Sequence, residues 1–78
     1  MKWIKTGRYT MSNGESTTFY ESDDGRFFIE SRKRAVPHSG RDGYWLHTTY
    51  CLINADNLCE QEEYYSLKDA KMAAEGKR

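Results

Sequence analysis

The chain has few cysteines, a single proline and no excess of positive charge, and these scarcities exclude several classes of protein. Its 78 residues include one proline and two cysteines, and 12 basic residues are balanced by 12 acidic ones. Two cysteines are too few for the disulfide framework of a small secreted domain. Because the formal net charge is zero, the chain lacks the overall positive field typical of proteins that bind nucleic acid or membranes in bulk.

Long hydrophobic runs are missing as well. Hydrophobic residues make up 37% of the chain, and no run approaches the roughly 18 apolar residues of a transmembrane helix. The N-terminal sequence MKWIKTGRYTM has no apolar segment of the kind found in signal peptides. We therefore expect a single cytoplasmic domain over residues 1–78, with no membrane partner.

The motifs of common enzyme sites are missing too. The chain contains no GxxxxGK[ST], no GxGxxG and no GxSxG. His47 and Cys51 share a face of a predicted strand but lie about 13 Å apart along it, too far for a nucleophile and its base. The potential metal ligands His38, His47, Cys51 and Cys59 include no pair with the spacing of a structural zinc site. We expect no catalysis, no metal and no cofactor.

What the chain does have is aromatic and β-branched residues placed around turn signals. It contains two Trp, six Tyr and three Phe, rings that bury large apolar areas in a small core. Asp24-Gly25 is the dipeptide of a tight hairpin turn. The flanking segments, Thr17 to Ser22 and Arg26 to Lys33, are therefore predicted to be paired antiparallel strands.

The most regular strand pattern is YWLHTTYCLI, from Tyr44 to Ile53. Alternation places Tyr44, Leu46, Thr48, Tyr50 and Leu52 on one face and Trp45, His47, Thr49, Cys51 and Ile53 on the other. Both sets contain apolar residues, which predicts an inner strand covered at least in part on each side. The preceding AVPHSGRDG has the only proline and two glycines, and it is predicted to be a long loop.

The rest of the chain predicts one more strand and a helix. A turn at Asn54 to Asn57 leads into a short edge strand over Leu58 to Tyr65. Ser66 then has the position of an N-cap and Gly76 that of a helix end. Whether Met1 to Met11 forms an additional strand, broken at its glycine, is left open. These elements predict an α+β fold, an antiparallel sheet of about three to five strands with one C-terminal helix packed on a face.

The two cysteines flank the predicted turn after Ile53. With a three-residue loop, Cys51 and Cys59 lie opposite each other and a cross-strand disulfide fits, whereas with a two-residue loop they point to opposite faces. Because the chain shows no secretory leader, free thiols are the expectation.

Charge is distributed unevenly along the chain. Between Arg26 and Arg41 five basic residues stand against the single acid Glu30, whereas Asn54 to Tyr65 holds four acids and no base. One alternative function is therefore a nucleic-acid-binding β-sheet module that uses the basic loop from Arg32 to Arg41. Its phosphate contacts would come from Arg26, Arg32, Lys33, Arg34 and Arg41.

Three segments carry a resemblance to known groups of proteins. DGRFFIE, GYWLHT and YYSLKDAKMAAE, within residues 17–76, resemble segments of small uncharacterised proteins of phages and other mobile elements, which have a β-hairpin sheet and a C-terminal helix. The strand order before the helix is also similar to that of the arm-type DNA-binding domains of tyrosine recombinases. The first resemblance implies a phage-type accessory protein, which would act in the host cell cytoplasm. The second implies DNA contacts from a sheet face, made here by Arg26, Arg32 or Arg34.

From these features we expect a non-enzymatic phage-type accessory protein that binds a host protein or nucleoprotein complex. The expected role is inhibition of a host defence system, of the anti-CRISPR or anti-restriction type, which needs a rigid surface with aromatic anchors and complementary charge. The expected contact residues are Glu60, Glu62, Glu63, Tyr64, Tyr20 and Phe28. A third function, a small homodimeric structural protein, would use a sheet face that the helix leaves open.

Strand alternation leaves one question open about the basic segment. Arg32 and Arg34 share a face with Phe28, whereas Lys33 points with Ile29. If the helix covers Ile29, the two arginines flank an open aromatic face that can bind a partner. If it covers Phe28, they belong to a solvated rim.

Overall fold

Five strands and one helix follow one another along the chain. The computed structural model describes residues 2–38, 40 and 42–77. The strands are β1 (Trp3–Thr10), β2 (Ser16–Ser22), β3 (Phe27–Pro37), β4 (Tyr44–Asn54) and β5 (Asn57–Tyr64), and the helix is α1 (Leu67–Gly76). They form one antiparallel sheet in the order β1-β2-β3-β4-β5. The predicted α+β fold with a C-terminal helix is confirmed.

Glycines with positive φ close the first two hairpins. Gly14 and Gly25 have φ values of 90° and 71°, a left-handed conformation that glycine adopts at little cost. In the second turn the Asp24 carboxylate accepts hydrogen bonds from the Ser22 hydroxyl at 2.7 Å and from the Arg26 backbone N–H at 3.1 Å. The predicted turn at Asp24-Gly25 is confirmed, and β2 and β3 pair around it as expected.

The N-terminal segment forms β1, which settles a point that the sequence left open. Its pairing with β2 shifts between Lys5 and Gly7, next to the glycine where a break was predicted. A bulge of this kind bends an edge strand and makes it a poorer template for another chain.

The two central strands reach beyond the rest of the sheet. β3 continues through Ala35 and Val36 to Pro37, so much of the predicted long loop is strand instead. The last β2–β3 pair is Ser16–Lys33, and beyond it residues 34–37 pair only with residues 44–47 of β4. We call this two-stranded extension the ribbon. Pro37 fits there because it has a strand neighbour on one side only.

The helix packs on one face of the sheet, against β3, β4 and β5. Ser66 is its N-cap as predicted, and its hydroxyl accepts the backbone N–H of Asp69 at 3.0 Å, a contact typically worth about 1 kcal/mol. The small residues of the helix allow it to approach the sheet closely. The described residues contain no helix with the length and apolarity that a membrane crossing requires. The buried core is formed by Phe27, Ile29, Leu52, Ala70 and Ala74.

Strand alternation divides the sheet into a helix-side face and an open face. Phe27, Ile29 and Leu52 are 3%, 0% and 2% exposed under the helix. Phe28 points the other way, to the open face, and no described element covers that side. β4 is an inner strand as predicted, but the described residues provide one helix to cover the sheet, so β4 is covered on one side only.

The loop between β4 and β5 has two residues, 55 and 56, which is one of the two alternatives that the sequence left open. Asn54 pairs with Asn57, and the register then shifts so that Cys51 pairs with Glu63. Cys59 lies in the irregular part of β5, so the two cysteines are not opposite each other, and both are free thiols.

Candidate binding surface

The open face is built from side chains that the strand register places in rows across the sheet. One row contains Ile4, Glu21, Phe28, Ile53 and Gln61. The next contains Gly7, Phe19, Glu30, Cys51 and Glu63. Successive rows on one face are about 7 Å apart along the strands, so their larger side chains are neighbours.

Five side chains on this face form a group that we call the apolar cluster: Ile4, Tyr9, Phe19, Phe28 and Ile53. Phe28 and Ile53 are direct cross-strand neighbours. The rings of Tyr9 and Phe19 meet edge to face, with centroids 6.0 Å apart and an interplanar angle of 89°, a favourable arrangement for aromatic rings. Ile4 is 57% and Tyr9 68% exposed, so the apolar cluster keeps surface that a partner can bury.

Carboxylates surround the apolar cluster. Glu21 pairs with Phe28, and Glu30 and Glu63 lie on either side of Cys51. Arg32 donates a hydrogen bond to Glu30 at 2.8 Å, and this contact raises the pKa of the guanidinium. The three carboxylates outnumber the one exposed arginine, Arg32. The net charge around the apolar cluster is therefore negative.

Arg34, the other arginine on this face, is occupied within the protein. Its guanidinium donates to the backbone oxygens of Ser16 at 2.8 Å and Lys33 at 3.1 Å, and to the Thr17 hydroxyl at 2.7 Å. These bonds tie the start of β2 to β3. Arg34 is therefore a structural link, although it lies on the face where the sequence suggested a contact residue.

The acidic edge predicted on β5 is partly neutralised. Lys77, just after the helix, pairs with Glu62 at 2.5 Å and with Glu60 at 3.4 Å, and the Tyr64 hydroxyl donates a hydrogen bond to Glu62. The hydrogen bonds from Lys77 and then Tyr64 hold the pKa of Glu62 below its ordinary range. In return Glu62 raises the pKa of both Lys77 and Tyr64. These residues brace the end of the helix against the sheet.

Two of the predicted aromatic contact residues lie on the helix side. Tyr20 pairs with Ile29, and Tyr20 and Tyr64 are half-buried and pack against the core. They are therefore not on the open face. Of the residues predicted to contact a protein partner, Phe28 and Glu63 lie there.

The residues predicted to contact nucleic acid do not come together. Arg26 precedes β3, and Arg34 lies about 26 Å further along the extended strand. Arg32 and Arg34 are on the open face, whereas Lys33 is on the helix side. Arg41 lies outside the described residues. Strand alternation thus splits the run of three basic residues between the two faces.

Histidine and cysteine side chains are dispersed in the described structure. The His47 ring lies 5.0 Å from the ring of Trp45 and 5.8 Å from that of Tyr65. Burial raises the pKa of the Cys51 thiol, which lowers the fraction of reactive thiolate at neutral pH. Within residues 2–38, 40 and 42–77, no group of three His, Cys, Asp or Glu side chains is placed to hold a metal ion.

The described surface offers little concavity. A shallow depression near the end of the helix, too small to enclose a water molecule, is lined by Phe27, Leu52, Asn54, Glu60, Glu62 and Lys77. Typical small-molecule sites enclose about 300–1,000 Å³.

Sequence reasoning missed most of the apolar cluster. Ile4, Tyr9, Phe19 and Ile53 share a face only because of how β1 pairs with β2 and β3 pairs with β4. A signal for one of them was present: Phe19 alternates with Tyr20, so one of the two had to lie opposite the helix.

No protein-family model, curated protein or solved structure matches the chain. The resemblances to phage proteins and to recombinase arm domains stay predictions. Function is therefore inferred from the surfaces themselves.

Proposed function

We propose that this protein is a non-enzymatic binding protein that holds a protein partner in a stoichiometric complex through its open face. The observation that carries this proposal is the apolar cluster, which lies on the side of the sheet opposite the helix. Burial of exposed apolar surface by a partner contributes about 25 cal/mol per Å² to the free energy of binding. The rings of Phe19, Phe28 and Tyr9 provide contact area on ordered strands, where little side-chain freedom is lost on binding.

The charges around the apolar cluster define the kind of partner. Glu21, Glu30 and Glu63 favour a surface with basic residues around an apolar centre, because complementary charge speeds association and disfavours wrong partners. Basic surfaces of this kind are typical of proteins that handle nucleic acid. Host defence complexes that act on nucleic acid belong to this group. We propose as the biological role that this protein inhibits such a complex, in agreement with the resemblance to phage proteins.

A homodimer through the same face is less favourable. If two copies met face to face, the carboxylates around both apolar clusters would approach one another, and only Arg32 of each copy would offset them. Like charges brought together in an interface cost free energy. A second protein with a positive surface avoids this cost.

An affinity capture from host lysate with matched variants tests the proposal. The bait proteins are the wild type, a Tyr9→Ser/Phe28→Asp variant, and the control Met72→Asp, which changes a helix residue that is 58% exposed. We expect wild type and the control to retain one host protein complex in a fixed ratio and the double variant to lose it. Circular dichroism and a cooperative unfolding transition establish that each bait is folded.

Three results would count against the proposal. Recovery of the same complex by the Tyr9→Ser/Phe28→Asp variant would place the contact elsewhere. Recovery that disappears after nuclease treatment would show that nucleic acid makes the bridge. A dimeric mass of the wild type by light scattering, together with a monomeric mass of the Tyr9→Ser/Phe28→Asp variant, would show that the open face serves self-association.

A further inference from the structure

The helix covers only part of the helix-side face, and the uncovered part has a distinct chemistry. One row there contains Arg8, Thr18 and Ser31 and then runs on to Tyr50 and Tyr64, which pack against the core. The next row contains Thr10, Ser16, Lys33 and Thr48, of which Ser16 is buried. None of these positions is acidic. Lys5, on the same face of β1, adds a third cation beside the first row.

The three cations are free to meet a ligand. Lys5, Arg8 and Lys33 are exposed, and they form no ion pair with any residue that the structure describes. In this they differ from Arg32, which pairs with Glu30, and from Arg34, whose donors are used within the sheet. The sequence places Lys33 between these two arginines, but its surroundings in the sheet are different.

Hydroxyl groups lie between the cations. The side chains of Thr18, Ser31 and Thr48 are half-buried, and their hydroxyls have no hydrogen-bond partner in the described part of the chain. Thr and Ser hydroxyls, together with Lys and Arg, are the side chains that most often donate to phosphate oxygens without reading sequence. We infer that this region binds the phosphate backbone of a nucleic acid. We call it the cationic patch, and it consists of Lys5, Arg8, Lys33, Thr10, Thr18, Ser31 and Thr48.

The spacing of the charges favours a polymer over a single anion. Arg8 and Lys33 are separated by two strand spacings and by two residues along the strand, which places their backbones about 12 Å apart. At this separation the extended side chains of Arg8 and Lys33 can contact different phosphates of one strand at the same time. Tyr44, on the same face further along the ribbon and 72% exposed, is placed to stack on a base.

The cationic patch and the apolar cluster lie on opposite faces of the sheet. Both can therefore be occupied at once, as they would be in a nucleoprotein complex. The inference does not rest on the protein partner, because binding of nucleic acid to the cationic patch can be measured with the purified protein alone.

Fluorescence anisotropy with a labelled oligonucleotide, as single strand and as duplex, tests the inference. We expect binding at about 20 mM salt that weakens as salt rises, with a slope of log K against log salt of about −2 for single strand and −3 for duplex, as three neutralised phosphates require. Arg8→Gln and Lys33→Gln should each weaken binding several-fold and reduce the magnitude of the slope by about one. Arg26→Gln makes the same charge change at the opposite end of β3 and should leave the affinity within about twofold.

Three outcomes would overturn the inference. They are no binding of either oligonucleotide at low salt, equal loss of affinity in Arg26→Gln and Lys33→Gln, and equally tight binding of polyglutamate. The second would mean that only total charge matters. The third would mean that any acidic polymer, including an acidic protein segment, satisfies the patch.

Discussion

The carboxylate of Glu15 accepts the backbone N–H of Ala35 at 2.9 Å. Ala35 lies just beyond the last β2–β3 pair, Ser16–Lys33, so its N–H points to a place where β2 has ended. A side chain from the preceding turn thus replaces the missing strand residue. Asn13 fixes this carboxylate by donating a hydrogen bond to it at 2.9 Å.

Removal of the Glu15 carboxylate should open the ladder locally at Ala35. We expect the Glu15→Ala variant to lose hydrogen-exchange protection at the Ala35 amide, because water replaces the acceptor, while the amide of Ile29 stays protected. Glu15→Gln keeps a side-chain carbonyl acceptor and should retain most of the protection. Equal exchange rates at Ala35 in wild type and Glu15→Ala would contradict this role.

Acid should destabilise the fold through two glutamates. The hydrogen bond from the Asn13 side chain, followed by that from the Ala35 backbone, lowers the pKa of Glu15, and Lys77 and then Tyr64 lower that of Glu62. A carboxyl group with a folded pKa below its unfolded value of about 4.3 stabilises the protein above that pH, and this contribution is lost as the pH falls through the folded pKa.

We therefore expect the midpoint of thermal unfolding to fall as the pH is lowered below about 4.3. The Glu15→Gln/Glu62→Gln variant should show a shallower fall over the same range. If wild type and variant lose stability in parallel, other groups are responsible.

Adjacent residues on β3 should have very different effects on stability. Ile29 is 0% exposed in the core, so Ile29→Ala should lower the free energy of unfolding by about 2–5 kcal/mol. Phe28 is half-buried on the open face, where its main cross-strand neighbour is Ile53, and Phe28→Ala should cost about 1 kcal/mol. Urea unfolding of both variants measures the difference. Equal losses would mean that the open face is packed as tightly as the core.

The two thiols should react at different rates in the native protein. Cys59 is exposed, whereas Cys51 is half-buried and its pKa is raised by burial. A thiol reagent at neutral pH should therefore label two groups per chain, one fast and one slow. Cys59→Ser should remove the fast phase and Cys51→Ser the slow one. A native chain with no titratable thiol would mean that the cysteines are bridged.

Local signals in the sequence were sufficient for most of the elements. Asp24-Gly25 predicts its turn because glycine supplies the positive φ, and Ser66 predicts the start of the helix because its hydroxyl can accept Asp69 N–H. The alternation of β4 also predicts which residues share a face, as the burial of Leu52 shows. Each of these signals depends on residues only a few positions apart.

Features that depend on distant parts of the chain were not predicted. Ile29 is buried and Phe28 only half-buried because the helix packs on the face of the sheet that contains Ile29. The alternation of apolar residues along β3 is compatible with a helix on either face. The irregular turn that separates Cys51 from Cys59 and the contact of Lys77 with Glu62 likewise result from tertiary packing. The candidate surfaces were therefore predicted only in part, through Phe28, Glu63 and Lys33.

The ribbon makes the two ends of the sheet unequal in stiffness. Glu15 still holds Ala35, but residues 36–37 and 44–45 lie beyond that contact and beyond the other strands, so they can separate without exposing Ile29 or Leu52 to water. Local opening at that end needs less free energy than unfolding of the whole chain. A ligand that contacts Tyr44 must therefore bear an entropic cost of ordering, whereas a partner on Phe28 meets a surface already held in place by the core beneath it.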